Sequence, residues 1–289
     1  MPRDAVKGTW LVTAGYLIWG LLPLYWKALE SAGAEMVLAH RIVWALVFTT
    51  GFVFALRLWP EIRQAFTDLG SVLRMIAGAA LISVNWWIYI WAIGAGHVVE
   101  AAMGYYINPL LTVLLGVVFL GERLSALQTT AFLLAAAGVL VMALGLGSFP
   151  YVAFGLALSF ASYSLLKKKT RLGALASLQM ETLFSVPLAL VLLLPAGGFF
   201  GSSPDATQIV LLVIAGPVTA VPLWLFGAGT KLISLTRVGF LQYITPTMTL
   251  LLGLFAFGEY FDVWRAVGFA GIWLGLTVFT FDSVRRARA

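Results

Sequence analysis

The sequence predicts an all-α integral membrane protein: ten transmembrane helices in two inverted-topology five-helix repeats. Three observations carry that expectation. First, 61% of the 289 residues are hydrophobic, only 10% are charged, and the mean hydropathy is +0.98. A soluble domain carries about 25% charged residues, so this chain is better matched to lipid than to water. Second, the chain divides into ten mostly apolar runs of the length a helix needs to cross the hydrocarbon. Third, two stretches repeat at an offset of 137 residues. Tyr106, Ile107, Pro109, Thr112, Leu114, Leu115, Gly116, Gly121 and Glu122 find identical partners at Tyr243, Ile244, Pro246, Thr249, Leu251, Leu252, Gly253, Gly258 and Glu259. The same offset sets Trp87 on Trp224. Duplicated apolar units, each interrupted by proline, mark transporters built from two repeats.

The runs lie at approximately 8–28, 35–57, 72–94, 98–120, 125–146, 149–167, 175–196, 207–230, 235–258 and 262–282. Gly, Pro and charged residues punctuate the connections, as at Gly121-Glu122-Arg123 and Lys167-Lys168-Lys169. The first run has the apolar character of a signal-peptide core, but it is long, lacks a convincing cleavage site and is followed by nine more. Residues 1–147 are read as the first repeat and 148–289 as the second. With both termini on one side, fifteen of the eighteen Lys and Arg residues fall on that side; Lys27, Arg41 and Arg265 are the exceptions. The positive-inside tendency makes that side cytoplasmic. Five spans per repeat is an odd number, so the second copy enters the membrane from the opposite face.

Several motifs identify the chain as a member of the drug/metabolite transporter superfamily, in its EamA-type branch and most similar there to the RarD-type permeases. They are Tyr16-Leu17-Ile18-Trp19-Gly20, His40-Arg41-Ile42-Val43-Trp44, and Asn85-Trp86-Trp87-Ile88-Tyr89-Ile90-Trp91-Ala92. They continue with Glu100 to Leu110 and Leu120 to Arg123. The resemblance covers the whole chain. It implies ten helices in a five-plus-five repeat, alternating access, export or exchange of small metabolites, and residence in a bacterial cytoplasmic (inner) membrane. One departure is that His40-Arg41 has no counterpart in the seventh span, where Gln179 and Glu181 are the polar residues.

Polar residues inside apolar runs are the candidate substrate-binding residues, because an ionisable group at membrane depth is costly and usually faces a cavity or a partner. His40 and Arg41 sit about 8–9 Å below the start of their span. They fit an anion or carboxylate site; a snorkelling arginine, or a structural hydrogen-bond donor to backbone, is the other reading. Glu181 lies roughly 9 Å into its span. A carboxylate kept from water can load and unload a proton near neutral pH, so proton coupling, pairing with Arg41 or His40, and a neutral structural role are all open to it. Asn85 and Tyr89, four apart, share one helix face. Tyr106 and Asn108 precede Pro109; Gln242, Tyr243 and Thr245 precede Pro246. Each proline frees the carbonyl four residues earlier, and in lipid that carbonyl needs another donor, so Pro109 and Pro246 are candidate hinges. Gly271 and Gly275, with Gly268, read as a close-packing face or a dimer face. Lys167 to Lys169 read as a topology anchor, and Glu122 and Glu259 as structural helix ends.

Other functions find little support. The chain has no G-x-x-x-x-G-K-[ST] loop for ATP. It has no cysteine and two histidines, so neither a catalytic zinc nor any other metal or cofactor is expected. Its scattered single acids argue against an enzyme. The expected partners are a small-molecule substrate and membrane lipid, not nucleic acid, with the chain a monomer or a homodimer. A lipid scramblase, or a membrane-embedded enzyme or partner subunit acting on a lipid-like substrate, is the alternative to a carrier.

Overall fold

The computed structural model describes residues 3–146, 149–194, 199–201, 205–256 and 263–288, and every regular element among them is helical. Helix α1 (Arg3–Lys27) leads through a short 3-10 turn (Glu30–Ala32) into α2 (Ala34–Ala55). Then follow α3 (Trp59–Thr67), α4 (Leu69–Gly94), α5 (Val98–Leu120) and α6 (Ala126–Leu146). The second half comprises α7 (Tyr151–Lys169), α8 (Ala174–Leu193), α9 (Ala206–Leu232), α10 (Leu235–Gln242), α11 (Ile244–Ala256) and α12 (Val263–Arg288).

Nine stretches of the described residues are long and apolar enough to cross a membrane: α1, α2, α4, α5, α6, α8, α9, the α10–α11 pair and α12. The sixth expected run becomes α7, which does not qualify by composition. Its serines, tyrosines and three terminal lysines dilute the apolar residues. Two further differences have local causes. The segment after α2 was expected to be a connection, but it contains α3, a short amphipathic helix that buries Ile62 and Ala65. The ninth run breaks at Tyr243, three residues before Pro246. A proline removes one helical donor and crowds the carbonyl four residues back, here that of Gln242, so the interruption falls on that side of the ring. In α5 the helix runs on through Pro109.

Helix ends follow from local chemistry. Ser125 and Gln128 form a reciprocal capping box at the start of α6. Asp205 accepts the Gln208 N–H at the start of α9, and Ser234 accepts that of Arg237 at the start of α10. Asp68 precedes α4 and accepts from the Ser71 hydroxyl and from the Ser71 and Gly70 N–H groups, which hold its carboxyl below the usual aspartate range. Helix α5 ends on Gly121, whose left-handed φ of 65° suits a residue without a Cβ.

Helices α6 and α12 pack in closest approach. A Cβ on Gly275 would sit 2.6 Å from the Ala131 carbonyl, one on Gly271 3.2 Å from that of Leu134, and one on Gly138 would strike that of Gly268. The Gly268–Gly271–Gly275 stripe is therefore spent inside the chain rather than offered to a second copy. Elsewhere α1 lies on α9 and α11, α2 on α8 and α9, α4 on α7 and α8, and α5 on α7 and α10.

The basic helix ends gather at one end of the bundle. There the Glu61 carboxylate accepts the Gly173 N–H at 2.5 Å, Lys231 donates to the Leu172 carbonyl, and Lys168 donates to those of Lys231 and Ile233. Glu122 belongs to the same end. It accepts from the N–H groups of Leu235 (2.6 Å) and Thr236 (2.7 Å) and from the Thr236 hydroxyl, and so caps α10 from the other half of the chain. Its repeat partner Glu259, with Gly258, lies outside the described residues.

Candidate functional site

A cavity of about 730 Å³ enters the bundle from the end that carries the α1–α2 connection. Its walls come from α1, α2, α4, α5, α7, α9, α10 and α11, and thus from both halves of the chain. Lys27 and Glu30, both exposed and opposite in sign, stand at its rim. Going inward, the walls are aromatic: Trp19, Trp26, Trp86, Tyr89, Tyr105 and Phe160.

Arg41 is the one charged residue among the described interior lining. Its Nε donates to the Thr219 hydroxyl at 3.0 Å. The guanidinium lies over the rings of Trp26 (4.7 Å) and Trp86 (5.0 Å), an arrangement that favours a cation on the negative face of each indole. No carboxylate among the described residues pairs with it. A guanidinium held this way keeps its charge and leaves its terminal N–H fork for another acceptor.

Of the remaining expected residues, Asn85, Tyr89, Asn108, Gln242 and Pro246 also line this cavity. The Asn85 amide nitrogen is committed, at 2.8 Å to the Leu156 carbonyl and 2.9 Å to the Ser159 hydroxyl, and ties α4 to α7. The Thr112 hydroxyl lies 3.3 Å from the Asn108 amide and 3.4 Å from that of Gln242; with a single proton it donates to one of them and accepts from the other.

The structure brings the others to different places. Sequence neighbours on a helix point about 100° apart, and His40 turns away from Arg41. It is fully buried, accepts from the Trp44 indole at Nδ1 (3.0 Å), and meets the Phe199 carbonyl through Nε2 (2.7 Å). Since Nδ1 accepts, the ring proton belongs on Nε2, which donates. With Phe200 stacked on it, His40 fastens residues 199–200 to α2. Tyr106 lines a smaller pocket beside the main cavity, with its ring edge-on to Phe269. Tyr243 is buried and its hydroxyl donates to the main-chain carbonyl of Tyr106. Pro109 lies at the α5–α10 crossing, where its carbonyl would be 2.8 Å from a Cβ on Gly239.

Glu181 does not pair with Arg41 or His40. Its partner is Lys167, with both carboxylate oxygens 2.9 Å from Nζ and the two side chains 2% and 1% exposed. Ser177 donates to one oxygen and Tyr163 to the other, each at 2.9 Å, and Lys167 also reaches the Ser177 hydroxyl at 2.7 Å. Every charge in the cluster is compensated, as burial requires. Lys167 is therefore an interior ion-pair partner, while its neighbour Lys168 binds carbonyls at the helix ends. Glu100 is buried against His97 at 2.8 Å.

These elements stack in order along the bundle. At the cavity floor and beneath it, Tyr16, Trp19, Phe160, Tyr163 and Phe226 form a run of ring contacts at 5.5–6.3 Å. Tyr163 then joins that aromatic plug to the Glu181–Lys167 cluster, and Glu122 clamps the basic end beyond. The cavity is open at one end and sealed at the other.

The residues that sequence reasoning missed are aromatic or apparently ordinary: Trp26, Trp86, Tyr16 and Thr219. A tryptophan in an apolar span signals lipid interface, packing or a binding wall equally well, and Thr219 has no local pattern that marks it.

The EamA-like transporter family model matches residues 6–144. The uncharacterized transporter YojE of Bacillus subtilis is 46% identical over 99% of this chain and 97% of its own length. Protein RarD of Escherichia coli is 36% identical, over 99% and 98%. The chloramphenicol-sensitive protein RarD of Pseudomonas aeruginosa is 33% identical, over 99% and 97%. A crystal structure at 20% identity superposes with a TM-score of 0.74, covering 96% of this chain and 98% of that one, and shares the fold.

Proposed function

The chain belongs to the EamA-like transporter family of the drug/metabolite transporter superfamily, with RarD-like permeases as its relatives, and from that premise we propose that it is a secondary active transporter. It moves a small organic metabolite or drug-like solute across the bacterial inner membrane by alternating access, with both termini cytoplasmic. The working unit is ten spans, with α7 the sixth, in two inverted repeats of residues 1–147 and 148–289.

The observation that carries this reading is a packing pattern that maps onto itself when the halves are exchanged. Gly138 meets Gly268, and their counterparts 137 residues away, Gly275 and Ala131, meet each other. Leu134 meets its own counterpart Gly271, and Tyr106 meets Tyr243. At the level of helices, α1 on α9 is matched by α7 on α4, and α2 on α9 by α8 on α4. Two halves related in this way have two near-equivalent arrangements, one open to each side. A cavity walled by both halves and sealed at one end is what one of those arrangements requires.

The test is flux in proteoliposomes of the purified protein, with radiolabelled carboxylates, amino acids and chloramphenicol, with and without a pH gradient. Saturable flux is the expected result, and a response to the gradient would show coupling to protons. Lipid exchange between leaflets without solute flux would support the scramblase alternative instead.

A further inference from the structure

We infer that the cavity selects organic monoanions: a carboxylate joined to an aromatic or apolar body, with no ammonium group. The inference rests on the transporter reading and names its substrate class.

The charge comes first. The described interior lining holds one cation, Arg41, and no acid. Thr219 takes only its Nε, and the guanidinium lies over the rings of Trp26 and Trp86, so its terminal fork is left for a ligand. A planar fork of this kind matches a carboxylate through two parallel hydrogen bonds. One uncompensated positive charge in a low-dielectric site balances one negative charge.

The other polar side chains of the interior lining are neutral amides and hydroxyls. The amides of Asn108 and Gln242, both more than nine-tenths buried, share the single Thr112 hydroxyl between them and keep donor capacity for the cavity they line. The Tyr16 hydroxyl at the floor is fully buried and has no partner among the described residues. Buried polar groups nearly always find a partner, and the N–H groups these amides leave toward the cavity suit a ligand that brings acceptors. The rest of the wall is aromatic and suits a flat or apolar body. At about 730 Å³ the space is of the size that takes a drug-sized molecule.

The same inventory disfavours a zwitterion. An α-ammonium would need a carboxylate close by; among the described lining residues the only acid is Glu30, out at the rim. A neutral amide would leave the arginine fork half used.

The experiment is binding in nanodiscs, read from the quenching of tryptophan fluorescence and checked by calorimetry. Three probes on one carbon skeleton are used: phenylpropionate, phenylpropionamide and phenylalanine. The expected result is phenylpropionate binding at least tenfold tighter than either analogue. Arg41→Gln is expected to bring phenylpropionate down to the level of the amide without weakening the amide itself. Arg41→Lys, which keeps the charge but lacks the fork, should retain only part of the preference and covers the case in which Arg41→Gln does not fold. Equal binding of carboxylate and amide, equal binding of phenylalanine, no binding of any probe, or a preference that survives both substitutions would overturn the inference. Selective binding with no flux in proteoliposomes would count against the transporter reading and leave this one standing. Flux of a neutral or cationic solute without carboxylate binding would do the reverse.

Discussion

Tyr243 donates its hydroxyl to the main-chain carbonyl of Tyr106, the residue that occupies its own position in the other repeat, 3.3 Å away. A contact between equivalent positions is possible only close to a symmetry axis, and here it joins the two helices that carry the candidate hinges, Pro109 and Pro246. Tyr243→Phe removes the donor and nothing else. We expect a loss of about 1 kcal/mol of stability, read as a lowered unfolding midpoint in detergent, with membrane insertion unchanged.

The Lys167–Glu181 cluster has a different energetic character. Removing one member leaves an uncompensated buried charge, so Lys167→Met or Glu181→Leu alone should destabilise by about 3–5 kcal/mol. The double substitution should recover most of that loss, because the remaining charge is gone too. Thermal unfolding of the three variants checks the expected non-additivity; additive losses would show that the two residues act separately.

Glu122 caps α10 across the repeat boundary through two main-chain N–H groups and a hydroxyl. Glu122→Ala should cost about 1 kcal/mol, the usual worth of an N-terminal cap. The loss should be local: hydrogen exchange at Leu235 and Thr236 should quicken while the amides of α6 and α12 stay protected.

The α6–α12 seam predicts a contrast between two glycines. A Cβ at Gly138 meets the Gly268 backbone, whereas one at Gly51 finds nothing within 4 Å. Gly138→Val should lower the unfolding midpoint sharply by forcing the helices apart. Gly51→Ala should leave it unchanged or raise it, since alanine favours a helix by about 1 kcal/mol over glycine.

Much of this architecture was legible in the residues themselves. Apolar runs of about 20 residues reveal spans because lipid offers backbone groups no partners. The repeat showed itself through identities at one fixed offset. Arg41, Asn85, Tyr89, Asn108 and Gln242 stood out as polar residues in apolar helices, and all line the cavity. What was hidden depends on direction. Sequence position does not say that His40 points away from Arg41, or that Lys167 turns inward while Lys168 meets helix ends. Nor does it separate Trp26 and Trp86, which bracket the arginine, from Trp87 and Trp91, which remain exposed. The α3 helix was missed because nine residues are too short to show a period clearly, and the break at Tyr243 because a proline acts on the turn before it.

The central claim is that one cavity opens alternately to the two sides of the membrane, and accessibility tests it most directly. The chain has no cysteine, so a single Thr249→Cys in the cavity wall can be labelled without background. A membrane-impermeant thiol reagent would be applied to right-side-out and to inside-out vesicles. The account predicts labelling from both sides, with prior reaction from one side abolishing reaction from the other. Labelling from one side only, however long the exposure, would contradict it.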